Sequence, residues 1–355
     1  MKLREVIRLF ALAVLVVGMA TSCVKEGPMG PAGIDGTDGV DGSDGQNGVD
    51  GKVSCLACHS GDNMLQKQSQ FVLSGHKIGT WTRDHNPWSS SCVRCHTPVG
   101  FQQFAELGAD AVFASIENTE TFDCSTCHGL HSTFEDTDYA LRITTPVVPV
   151  QPVNGEMDLK GNSNLCGTCH QSRSLEPSLA TPGETFRLSV RTGPHHGPQG
   201  NILFGNGLAE IAGSTAYPTK GTADHLTKTG GSCVGCHMTA YAAGTGGHSF
   251  KPGVGACNGC HEGDDVTDFN YGGVQSDIES RLEELESKLM ALGALVEVTD
   301  EEGVVSIAPA DKKTVPMVQA QAVFNYFGVK EDRSMGVHNP KYVRAIMNNT
   351  LEALE

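Results

Sequence analysis

Cys166-Gly167-Thr168-Cys169-His170 is one of six stretches of the form Cys-x-x-Cys-His in a chain of 355 residues. The others are Cys55-Leu56-Ala57-Cys58-His59, Cys92-Val93-Arg94-Cys95-His96, Cys124-Ser125-Thr126-Cys127-His128, Cys233-Val234-Gly235-Cys236-His237 and Cys257-Asn258-Gly259-Cys260-His261. Of the 13 Cys, only Cys23 lies outside them. Chance would place this pentapeptide in a chain of such composition about 0.02 times, so the pattern is chemical. Two thiols at this spacing reach the two vinyl groups on one porphyrin edge. The next residue then brings an imidazole under the iron. The motifs therefore imply six covalently bound c-type haems, with His59, His96, His128, His170, His237 and His261 as proximal iron ligands.

Two other readings compete for the same cysteines. Zinc takes four Cys or His ligands at similar pair spacing, but gives no reason for a His directly after every second Cys. Disulfides are common in exported chains and leave the same His unexplained.

Residues 1–22 carry Lys2, Arg4 and Arg8, an apolar run from Leu9 to Met19 and then small residues ahead of Cys23. This is the layout of a secretory signal peptide, its apolar run short for a membrane span. Ala20-Thr21-Ser22-Cys23 resembles a bacterial lipobox, which makes Cys23 the expected lipidation site. Gly then recurs at every third position from Gly27, through eight triplets ending at Asp50. A strict period of three is what a collagen-like triple helix demands, because only Gly fits at its axis. Pro occurs in this tract only at 28 and 31, so an extended acidic stalk is the alternative to a homotrimer.

The formal charge is −16, and residues 1–22 hold a surplus of two positive charges, so the remainder carries −18. Nucleic acid is excluded as a partner on this balance, whereas redox partner proteins with basic faces are favoured. Only 6% of residues are aromatic and 43 are Gly. That composition argues against a protein core of ordinary size and for haems as the core.

Eight further His remain: His76, His85, His131, His195, His196, His225, His248 and His338. Six haems closed on both faces need six of them. Met is the competing distal ligand, Met335 being one candidate. In several segments the chain resembles multihaem c-type cytochromes related to hydroxylamine oxidoreductase and pentahaem nitrite reductase, especially their electron-carrying members. These segments are Ser74-Gly75-His76, Cys95-His96-Thr97-Pro98-Val99-Gly100, Cys127-His128-Gly129-Leu130-His131, Gly193-Pro194-His195-His196-Gly197-Pro198-Gln199, Cys236-His237-Met238 with Gly246-Gly247-His248-Ser249-Phe250, and Gly336-Val337-His338-Asn339-Pro340. The resemblance spans about residues 53–352 and implies distal ligation by His76, His131, His195, His225, His248 and His338. His196 stands as alternative to His195, and His85 to His76.

The expected fold is mainly α with extensive loops, a multihaem cytochrome c fold organised around stacked haems and closed by C-terminal helices. Signal peptide (1–22), acylated anchor with stalk (23–52), hexahaem region (53–270) and C-terminal helical region (271–355) divide the chain. Ile278, Leu282, Leu285, Leu289, Leu292 and Val296 recur at helical spacing. A hairpin is expected around Asp300-Glu301-Glu302-Gly303, and helices over 314–327 and 340–353, the second starting with Pro340 directly after His338-Asn339. A haem with both axial positions filled cannot take up substrate, and no Cys-x-x-Cys-Lys variant is present. The expectation is thus an electron carrier in the bacterial cell envelope, an outer-membrane or cell-surface lipoprotein. The rival is an oxidoreductase acting on a small nitrogen or sulfur oxyanion at one open haem, with His85, His196, Arg191 or Tyr241 as proton donor.

Overall fold

Apolar side chains at helical spacing are dense only after residue 270, and regular structure follows them. The computed structural model describes residues 59, 62–79, 87–109, 113–130, 140–261 and 266–355. Signal peptide, lipobox Cys23 and Gly-periodic tract all lie outside these residues. Residues 50–355 form one compact unit. Among the described residues, helices of ten or more residues are α1 (Asp62–Phe71), α2 (Pro98–Leu107), α3 (Val274–Ala291), α4 (Met317–Asp332) and α5 (Pro340–Glu352). None is long and apolar enough to cross a membrane.

Strands are short. β1 (Thr185–Arg187) pairs antiparallel with β4 (Thr314–Pro316), and β2 (Leu295–Thr299) forms a hairpin with β3 (Val305–Pro309). The Asp300 carboxylate holds the hairpin turn by accepting from the backbone N–H of Val304 at 2.7 Å. Residues 314–316, expected in a helix, instead pair with β1, and Pro316 stands at the N-cap position of α4.

The apolar stripe of α3 buries Val274, Ile278, Leu282, Leu285 and Leu289. Leu292 and Val296, read into the same stripe, lie beyond the helix and are 40% and 37% exposed. Gly293 at φ +66° ends the helix there, because a left-handed residue is cheap only for Gly. Helices α3, α4 and α5 pack together around α4, which is buried on nearly all sides. Leu188, Ile202 and Leu208 from the preceding region join the same cluster.

This corrects the expectation of a chain without an ordinary core. The apolar residues are concentrated at the C-terminal end rather than spread thinly. The motif region has its own apolar cluster of only five buried residues, Val147, Met157, Leu159, Leu203 and Leu226. Buried Asn side chains bind the two regions together: Asn325 accepts from Ala209 N–H and donates to Ala209 O, while Asn349 does the same with Thr215. Each is fully satisfied, as a buried amide must be.

Candidate haem centres

Most described motifs occupy one helical turn, as Val93–His96, Cys124–Cys127 and Cys233–His237. Of these three turns, Cys124–Cys127 has a side-chain cap. The Asp123 carboxylate accepts from Thr126 N–H, and Thr97 Oγ1 accepts from Gly100 N–H to start α2. Within two motifs Gly is sterically required. A Cβ on Gly167 would come within 2.4 Å of Leu159, and one on Gly235 within 2.3 Å of the Thr229 carbonyl.

Five motif histidines face a histidine distant in sequence. Ring centroids are 6.0 Å apart for His170 with His76 and for His96 with His195. They are 6.4 Å apart for His128 with His248 and for His237 with His338, and 6.5 Å for His261 with His225. Two rings this far apart do not bond to one another. Two imidazoles holding one metal ion at about 2 Å each would place their centroids roughly 6 Å apart, so the spacing fits an iron between them.

Hydrogen bonds at Nδ1 fix the tautomer in four of these rings. His237 Nδ1 donates to Phe250 O at 2.8 Å, His225 Nδ1 to Val337 O at 2.5 Å and His170 Nδ1 to Gln199 Oε1 at 3.2 Å. Gln199 is itself oriented by donating to Glu331 O at 3.0 Å. His338 Nδ1 donates to the Asp332 carboxylate at 2.6 Å. An N–H on Nδ1 leaves the lone pair on Nε2, the atom a metal takes.

Burial pushes His76 down to about 4, with His170 adding repulsion. Burial likewise takes His195 to about 4, helped by His196. His170, His237 and His248 are lowered first by burial as well. These rings are neutral at physiological pH, the form that ligates metal. His338 goes the other way: burial disfavours its charge, but the Asp332 carboxylate outweighs that and raises it.

His195 and His196, equivalent in sequence, are separated by the backbone. His195 has φ +73° and faces His96, whereas the exposed His196 pairs with Glu331 at 3.0 Å. Met335 packs against the C-terminal core. Arg191 and Tyr241 are exposed. Cys55, Cys58, His85 and His131 lie outside the described residues.

Motifs from different parts of the chain meet through their cysteines. Cys95 Sγ approaches Thr168 O at 3.8 Å and Cys169 Sγ approaches Arg94 O at 4.0 Å, while the two sulfurs contact one another. Cys166 and Cys233 also touch. No disulfide forms among the described cysteines, and no three His, Cys, Asp or Glu side chains among the described residues converge as a metal cluster.

One orphaned cation also fits haem. Arg94 Nε and Nη2 are buried and find no acceptor among the described residues, with the guanidinium 4.1 Å over the Phe104 ring. A buried guanidinium without an acceptor is costly, and a haem propionate is an anion of the right planar geometry.

Several contacting groups carried no signal in the sequence. Trp88 stacks on His96 at 4.4 Å and 7°, and Tyr271 lies 4.2 Å from His261. Phe250 at φ +55° packs edge-on to His76 and His248 while its carbonyl holds His237. Gln199 lies within a quoted segment, but Asp332 and Val337 act through proximity that only the fold creates.

No protein-family model matches the chain. It is 28% identical over 232 residues to C-type polyheme cytochrome OmcB of Geobacter sulfurreducens, covering 52% of this chain and 30% of that protein. To C-type polyheme cytochrome OmcC of the same organism it is 26% identical over 239 residues, with the same shares covered. The chain thus spans less than a third of the length of these curated relatives. Among solved structures, outer cell wall cytochrome OcwA matches with a TM-score of 0.51 at 18% identity, over 81% of this chain and 50% of that one. That likeness is one of fold. The motifs and these relatives together support a multihaem c-type cytochrome with covalently bound haem.

Proposed function

We propose that this chain is a hexahaem electron-transfer cytochrome in which every iron is closed by two histidines. The observation that carries this reading is the set of five cross-chain His pairs at 6.0–6.5 Å, each joining a motif His to a distant one. The sixth pair would be His59 with His131. Bound haem supplies reversible one-electron chemistry, and a closed coordination sphere favours transfer over activation of a substrate.

The chain's own residues set the order of the sites. Cys95 against Cys169 and Cys166 against Cys233 support a line running from the His96/His195 site through His170/His76 to His237/His338. Cys236 lies near Cys257 and Cys260, which extends the line to His261/His225. Cys127 lies near Cys166 and Cys169, so the His128/His248 site branches from the second member. Phe250 links three of the sites, touching His76, His248 and His237.

The same reading places the chain at the cell envelope, tethered through an acylated Cys23 and held off the membrane by the Gly-periodic tract, as stalk or trimer. Its acidic surface would receive basic redox partner proteins. Relatives named as polyhaem cytochromes and an outer cell wall cytochrome support this setting. Low-temperature EPR with a carbon monoxide titration tests the proposal. Six low-spin haems per chain, counted by pyridine haemochrome, with no carbon monoxide uptake are expected. One haem that binds carbon monoxide would replace the carrier with the oxyanion-converting enzyme.

A further inference from the structure

Asp332 ends α4 with its side chain wholly buried. Its carboxylate accepts from Ser334 Oγ on one oxygen and from His338 Nδ1 at 2.6 Å on the other. Among the described residues His338 is its one ion-pair partner. A desolvated carboxylate without a cation is unfavourable, so positive charge is expected on the far side of the imidazole. A ferric iron held by His338 would supply it. The other rings with a fixed Nδ1 bond to neutral acceptors: Phe250 O for His237, Gln199 Oε1 for His170 and Val337 O for His225.

We infer that Asp332 lowers the reduction potential of the His237/His338 site, by holding an anionic acceptor on the outer nitrogen of His338. The inference rests on the proposed ligation of iron by these histidines. An anionic acceptor gives the imidazole partial imidazolate character, which strengthens donation to the metal and favours the ferric over the ferrous state. Asp332 touches neither iron nor porphyrin and acts through His338, so it is a positioning residue.

Spectroelectrochemical titration of the full haem-loaded chain tests this. His338→Met marks the component, because thioether ligation raises the potential of that one site. Asp332→Asn should raise the same component. A tenfold loss of ferric preference corresponds to about 59 mV for a one-electron couple. Ser334→Ala removes the hydroxyl that donates to the carboxylate, leaves it more basic and should shift that component downward. A merely structural role for Asp332 would not give opposite signs in the two variants.

With haem content intact, an unmoved component in Asp332→Asn, or movement of one that His338→Met leaves alone, overturns the inference. Should Asp332→Asn fail to assemble, Ser334→Ala decides, and an unmoved or raised component overturns it. Missing haem or absent low-spin signals in the unaltered chain would instead defeat the ligation reading beneath it.

Discussion

His338 is held at its backbone and at its ring. Its N–H donates to Ser334 Oγ at 3.2 Å, its Nδ1 donates to Asp332, and the next residue, Asn339, caps α5 by accepting from Tyr342 N–H. Such anchoring leaves the ring little rotational freedom, which suits a ligand that must meet a metal at fixed distance. Replacing His338 with Ala should convert one haem to a high-spin, carbon monoxide-reactive state, read by EPR and visible spectroscopy. A fully low-spin spectrum in that variant would assign the ligand elsewhere. The position of His338 before Asn339-Pro340 was legible, since Asn as cap and Pro at the first helical position mark a helix start. The choice of His195 over His196 was not. A left-handed backbone at His195 and a carboxylate from α4 make that choice, and neither is written into adjacent identical residues.

At the scale of elements, α3 shows what periodicity can and cannot tell. Steps of four and three placed Ile278, Leu282, Leu285 and Leu289 on one face, and all four are buried. The same steps continued to Leu292 and Val296, where Gly293 turns the chain into the hairpin. Helical spacing alone does not register a left-handed residue. The start of α4 was misplaced for a different reason: residues 314–316 are claimed by a partner strand that lies far back in sequence at 185–187. Replacing Leu285 with Ala removes a fully buried side chain from the centre of this packing. It should cost about 2–5 kcal/mol, seen as a lower urea midpoint with haem content unchanged. An unaltered midpoint would show that the helical cluster is not part of the cooperative unit.

The molecule as a whole divides its sources of cohesion. Around α4 the chain buries enough apolar surface to hold itself, whereas the motif region has only a second cluster of five buried apolar residues and a separate few at Trp88, Val93, Phe101 and Phe104, too little to order so long a region alone. Composition over the full chain averaged these two regimes and so hid the real core. Replacing the motif cysteines by Ser, so that no haem is attached, should leave a protease-resistant fragment containing α3 to α5 while residues 87–261 are cleaved rapidly. Uniform resistance in that variant would show that the motif region folds without its cofactor. The repeated motif pointed to covalently bound haem from spacing alone. The partner of each motif histidine required the fold, because every observed pair joins separate segments.

The late position of His338 also sets a timetable. Of the five observed pairs, four have both members present once the chain has emerged as far as His261, but the partner of His237 lies on the approach to α5. On the proposed export and ligation, an iron attached at the Cys233–His237 motif would still lack its second histidine while the chain is emerging from its N-terminal end. Among the five described pairs it would be the one centre open to oxygen and other small molecules until α4 and α5 dock. On that ligation, chains interrupted before α5 would be chemically reactive rather than merely incomplete, and the docking of the last helix would be the step that closes this centre.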